Sequence, residues 1–167
     1  EPLACVLHCA ERIGLQPGQT VLVIGAGPCG LLFTQLGKLS GVEVLVLGRG
    51  EEKLSLAKRL GASHTFSILH EGYEEKLRAA TPEGRGPDIV VEVAGRPETW
   101  EMATRLVRKG GRVWFYGGCA KGSQVTFDAH RLHYDEIACF GVFHHTPDHF
   151  ARALQLIADG KINVDAL

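Results

Sequence analysis

The chain has 167 residues, of which 45% are apolar and 22% charged, with a formal net charge of −1. That length suits one domain with one core. The near-neutral balance gives no basic surface for a nucleic-acid backbone, and no apolar run is long enough to span a bilayer. The five cysteines, an odd number without a CxxC pair, speak against a disulfide framework or a local zinc knuckle. They fit the reduced thiols of a cytoplasmic protein, with no nucleic-acid or membrane partner expected.

In chain order, Pro2–Ile13 carries Leu3, Val6, Leu7, Ala10 and Ile13 at helical spacing and predicts a helix. Thr20–Ile24, after the turn Gln16-Pro17-Gly18, predicts a buried strand. Helix is predicted over Pro28–Ser40, with Pro28 in its first turn, and a second strand over Val42–Leu47. Glu51–Leu60 has an acidic first turn and Gly61 as its stop. A weaker strand over Ser63–Phe66 and a helix over Gly72–Ala80 follow. Asp88–Val93 and Arg112–Tyr116 predict strands on either side of a helix at Pro97–Arg108. Gly117 to Asp135 is expected to be irregular, before a sixth strand at Ile137–Phe143 and a last helix at Pro147–Asp159. Apolar strands alternating with helices imply an α/β fold: a doubly wound, parallel six-stranded sheet of the Rossmann type, ordered 3-2-1-4-5-6. One such domain is expected to fill residues 1–167.

Gly25, Gly27 and Gly30 form GxGxxG where the first strand hands over to a helix. In that position the motif implies a dinucleotide site. Gly25 permits the tight turn, Gly27 lets backbone approach a pyrophosphate, and Gly30 lets the helix pack closely on the sheet. The helix N-terminus, with Pro28 and Cys29 in its first turn, offers free N–H groups to phosphate. Cys29 is expected to be a passive small residue rather than a reactive thiol. Domains that prefer NAD carry an acid at the end of the second strand. Here the chain reads Gly48-Arg49-Gly50, with Lys53 one turn on. A glycine that leaves room and a guanidinium able to pair with a 2′-phosphate favour NADP(H) over NAD(H). Ala94 and Gly95, and Gly117 and Gly118, close the fourth and fifth strands at the edge where such ligands lie, and are expected to line the cofactor.

These segments together carry a family likeness. Glu1-Pro2-Leu3-Ala4, Gln16 through Pro28, Lys53-Leu54, Ala57 through Ala62, Asp88 through Gly95 and Gly110 through Val113 occur in family order. The chain resembles the cofactor domain of the zinc-dependent medium-chain dehydrogenase/reductase superfamily, in its sorbitol, polyol and threonine dehydrogenase-like subgroup. The resemblance implies an excised domain, with a catalytic domain elsewhere in the parent. It implies a parent that moves hydride between NAD(P) and the carbon of a small-molecule alcohol or polyol, is zinc-dependent, and forms homodimers or homotetramers. It also implies that Glu1 lies beside the catalytic zinc in the full-length parent, with no catalytic residue in this domain. The competing readings are a nucleotide-sensing regulatory module and a vestigial motif serving only oligomer contacts. The helix before the first strand and the missing acid weigh against the regulatory module.

Eight histidines are present. His144, His145 and His149 cluster after the sixth strand but show no recognised metal spacing, and they are expected to be surface residues, as are His130 and His133. No GxSxG, HExxH or Walker A pattern occurs.

Overall fold

The computed structural model describes residues 1–167. It contains helices α1 (Pro2–Ile13), α2 (Pro28–Leu39), α3 (Glu51–Leu60), α4 (Tyr73–Ala79), α5 (Pro97–Leu106), α6 (Ala129–Tyr134) and α7 (Pro147–Ala158). The strands are β1 (Thr20–Ile24), β2 (Glu43–Gly48), β3 (His64–Ser67), β4 (Ile89–Glu92), β5 (Arg112–Phe115) and β6 (Ala138–Gly141). They form one sheet in the order β3-β2-β1-β4-β5-β6, as expected, and every pairing is parallel.

β1 sits at the centre and is buried along its whole length. Leu22 pairs with Leu45 of β2 on one side and Val90 of β4 on the other. Successive side chains of a strand point to opposite faces, so β1 feeds two cores. Val21 and Val23 join a cluster of 25 buried residues drawn largely from α1, α2 and β2. Leu22 and Ile24 join a cluster of 13 that includes Leu77 of α4 and Met102 and Leu106 of α5. At the foot of the sheet Asp88 ties three elements together. Its Oδ2 accepts from the Thr20 amide (2.8 Å), and its Oδ1 accepts from Arg108 Nε (2.6 Å) and Arg85 Nη2 (3.3 Å). Burial pushes the Asp88 carboxyl up, but the Thr20 amide and the Arg108 guanidinium outweigh it and hold it below the usual carboxylate range.

The structure departs from expectation between Gly117 and Asp135, where α6 replaces part of the irregular stretch. Asp128 caps this helix by accepting from the Arg131 amide (3.0 Å). The Arg131 guanidinium donates to the carbonyls of Thr104 (3.0 Å) and Val107 (2.6 Å) and to Asp135 Oδ2 (2.8 Å). The helix therefore serves as a C-terminal cap for α5, an end where orphan carbonyls need donors. β6 is shorter than the seven residues expected, and its residues are largely exposed because it pairs only with β5.

Candidate functional site

β1, β2 and β4 end at one cleft of about 260 Å³, lined by Ile24, Gly25, Ala26, Gly27, Leu47, Gly48, Arg49, Lys53, Ile68, Ala94, Arg96 and Thr99. Gly25 turns the chain out of β1 with φ +122°, a backbone region that favours glycine, and its amide donates to the Leu47 carbonyl (2.8 Å). A Cβ on Gly30 would lie 1.8 Å from the Gly25 carbonyl oxygen, so α2 can reach the sheet only with glycine there. Gly27 caps α2 in extended geometry with no side-chain acceptor, and a Cβ there would meet nothing within 4 Å. The space in front of α2 is thus open, and it faces the positive end of the helix.

The cleft is cationic. Arg49 and Lys53 stand on the β2–α3 side and Arg96 on the β4–α5 side, and none of the three makes an ion pair. No carboxylate occupies the end of β2, where a Cβ on Gly48 would press to 2.8 Å from the Ala26 Cβ. The far wall is fixed by Glu92, which is fully buried at the end of β4. Its Oε1 accepts from the amides of Ala94 (2.8 Å) and Gly95 (3.0 Å) and from the Thr99 hydroxyl (2.7 Å). Burial pushes the Glu92 carboxyl up; these donors oppose it without cancelling it.

Of the residues expected at a cofactor, Gly25, Gly27, Gly48, Arg49, Lys53 and Ala94 share the cleft. Gly30 lies beneath the turn, and Pro28 and Cys29 form the first turn of α2. Cys29 Sγ accepts from the Tyr116 hydroxyl at 3.6 Å, while burial pushes the Tyr116 phenol up so that it remains a donor. Gly95, Gly117 and Gly118 pack on one another outside the cleft. A Cβ on Gly95 would approach the Gly118 carbonyl to 2.7 Å, and the Gly117 carbonyl accepts from Trp100 Nε1 (2.9 Å). Ile68, Arg96 and Thr99 were not anticipated. Arg96 and Thr99 were reachable in principle, because they follow directly from the end of β4.

A second cavity of about 420 Å³ is bordered by Glu1, Cys5, Tyr116, Val142, Phe143 and His144. The histidines beside it are not uniformly superficial. His144 is exposed and His145 half-buried, whereas His149 is only 8% exposed, which corrects its expected place on the surface. His149 closes a capping box with Thr146 at the start of α7, and its Nε2 lies 3.1 Å from Glu11 Oε2 on α1. His130 and His133 are exposed, as expected.

Residues 28–159 match the family model described as zinc-binding dehydrogenase. The chain belongs to the zinc-binding dehydrogenase family. It is 32% identical over its full length to D-arabinitol dehydrogenase 1 of Uromyces fabae, of which it covers 48%. It is 28% identical to the sorbitol dehydrogenase of Bacillus subtilis strain 168, covering all of this chain and 47% of that protein. An NADP-bound structure from Sinorhizobium meliloti 1021, of the zinc-binding dehydrogenase type, superposes with a TM-score of 0.91 at 34% identity. That alignment covers 99% of this chain and 48% of the other. This member of the family therefore spans about half the length of the curated relatives it matches. Its kinship lies with dehydrogenases, not with regulatory nucleotide sensors. No helix is long and apolar enough to cross a membrane.

Proposed function

We propose that this chain is the cofactor-holding half of a zinc-dependent alcohol or polyol dehydrogenase and that it prefers NADP(H) to NAD(H). One observation carries the reading: an open, uncapped helix N-terminus at Gly27, flanked by three cations without ion-pair partners. A diphosphate fits there because amides and dipole face it and no Cβ intervenes. Arg49 and Lys53, beside a β2 end that lacks a carboxylate, suit the extra phosphate of NADP(H). Ala94 and the turn held by Glu92 present backbone to the rest of the dinucleotide.

The bound nicotinamide supplies hydride transfer; this chain contributes position and electrostatics. Glu1 fits zinc by the chemistry around it, since Cys5, His144 and His145 converge on the same spot. In the parent, zinc would polarise an alcohol oxygen, with Glu1 as one of its ligands. The substrate is a small alcohol or polyol, by analogy with the arabinitol and sorbitol enzymes. β6 is an open sheet edge that exposes Phe140, and it suits pairing into a homodimer or homotetramer. Five free thiols fit a cytoplasmic setting.

Side-by-side calorimetric titration with NADPH and NADH tests the reading. NADPH is expected to bind more tightly, and the chain alone to oxidise no alcohol. Equal affinities would remove the NADP(H) preference, and no binding of either nucleotide would remove the cofactor role.

A further inference from the structure

Three of the five thiols meet around one phenol. Tyr116 follows the end of β5, and its hydroxyl donates to Cys29 Sγ at 3.6 Å. Phe33 of α2 meets the phenol ring edge-on, with centroids 5.1 Å apart. Tyr116 also borders the second cavity beside Cys5. Burial pushes the Tyr116 phenol up, and the sulfurs of Cys29, Cys5 and Cys9 add to it. Cys5 and Cys9 are four residues apart on α1, which packs against α2, so the two share one helix face. We propose that Cys5 and Cys29 form a peroxide-sensitive dithiol whose reversible disulfide disables the glycine turn. Cys29, expected from sequence to be passive, becomes reactive through these neighbours. The bridge itself stands apart from the dinucleotide reading; its effect on nucleotide affinity rests on that reading.

Both partners are half-buried and within reach of a small oxidant. Cys9 is enclosed, and burial raises its thiol to about 12, which leaves it inert. Burial also pushes the Cys5 thiol up, and charge on Glu1 and on Cys29 adds to it, which marks the two sulfurs as neighbours. With Cys5 held as a thiol, Cys29 meets the peroxide first. An S–O bond forms there as the O–O bond breaks, giving a sulfenic acid and one water. Cys5 then attacks the sulfenic sulfur. The S–S bond forms, the S–O bond breaks, and the departing oxygen leaves with the Cys5 proton as a second water. One peroxide is reduced and two thiols are oxidised.

A disulfide holds its sulfurs about 2 Å apart. Cys29 must then leave the Tyr116 hydroxyl and turn toward α1. It is the second residue of α2, directly after Pro28 and the Gly27 cap, so the amides that face a diphosphate move with it. A bound diphosphate resists that movement, and each event therefore opposes the other.

One equivalent of hydrogen peroxide at pH 8, followed by peptide mass mapping without reduction, tests the pair on the 167-residue chain. Trypsin cuts after Arg12 and Lys38, which puts Cys29 alone on one peptide and Cys5 with Cys9 on another. The expected product is one bridge joining these peptides, present in Cys9→Ala and absent in Cys5→Ala. Fragmentation of the linked peptides reads Cys5 against Cys9 without any variant. The bridged chain should bind NADPH at least about ten-fold more weakly, dithiothreitol should restore the affinity, and NADPH added beforehand should slow bridging. No bridge between these peptides, a bridge through Cys9, or one that survives Cys5→Ala would overturn the pairing. A bridged chain that binds NADPH as tightly as the reduced chain would overturn its effect on the turn. The mass map reads the bridge whether or not the reduced chain binds a nucleotide, which keeps this inference separate from the cofactor role.

Discussion

Two glycines of one turn make opposite demands, and Gly27→Ala against Gly30→Ala separates them. At Gly27 the backbone (φ −80°, ψ −178°) is open to any residue, and an added methyl would meet nothing within 4 Å. Its cost to folding should stay within about 0.5 kcal/mol, a shift of less than about 2 °C in Tm for a chain of this size. The methyl would occupy the space a diphosphate needs. Overpacking costs about 1–3 kcal/mol, which is about 5- to 150-fold in Kd. At Gly30 the methyl would fall 1.8 Å from the Gly25 carbonyl oxygen, and backbone cannot swing away as a side chain can. The upper part of that range, about 3 kcal/mol, should lower Tm by about 6–12 °C and remove binding with it. Calorimetric titration with NADPH alongside thermal melts reads both effects. Gly27→Ala that binds NADPH as tightly as the unsubstituted chain, or that melts as early as Gly30→Ala, would refute the assignment of the diphosphate to this turn.

Arg49→Ala should weaken NADPH about 10- to 150-fold, the worth of a charge-assisted contact of about 1.5–3 kcal/mol, and change NADH by no more than about three-fold. Parallel titrations check this, and equal losses for both nucleotides would contradict it. Asp88 is held below the usual carboxylate range, so its stabilisation is full above about pH 4 and is lost as pH falls through its folded value. Asp88→Asn should cost about 2 kcal/mol at neutral pH and flatten the acid limb of the stability profile, measured by urea melts across pH. Burial raises both the Cys9 thiol, to about 12, and the Cys139 thiol, but Cys9 is enclosed in the core and Cys139 is exposed, so brief alkylation of the native chain at pH 8 should leave Cys9 unmodified while Cys139 reacts. Peptide mass spectrometry reads the difference. Arg131→Ala strips three acceptors of their donor and should lower Tm by several degrees.

The sheet was legible because its central strands are buried on both faces and read as unbroken apolar runs: Val21–Ile24, Val44–Leu47, Ile89–Val91. The glycine turn was legible because each of its constraints is local. α6 was not, since six residues are too few to show a helical period and the helix depends on Arg131 reaching carbonyls some 25 residues away. His149 looked superficial because Glu11, its partner, lies 138 residues earlier. The same distance hid the meeting of Glu1 and Cys5 with His144 and His145, which depends on the crossovers that return the last strand and its loop to α1. Gly95 and Gly117 stand at the sheet edge, where their small size lets their backbones meet, whereas a Cβ on Gly118 would meet nothing within 4 Å.

Because all six strands run the same way, the molecule has a chemical end and a quiet end. The cleft gathers at the points where strands finish. The connections that lead into strands lie opposite, where the Gly18 amide donates to the Gly41 carbonyl (3.2 Å) and the Gly110 amide to Asp135 (2.7 Å). A fluorescent reporter spliced at Ser40–Gly41 would sit a full strand length from the nucleotide, leaving its affinity unaltered. That makes the loop a natural point for attaching a label or tether without disturbing the cleft.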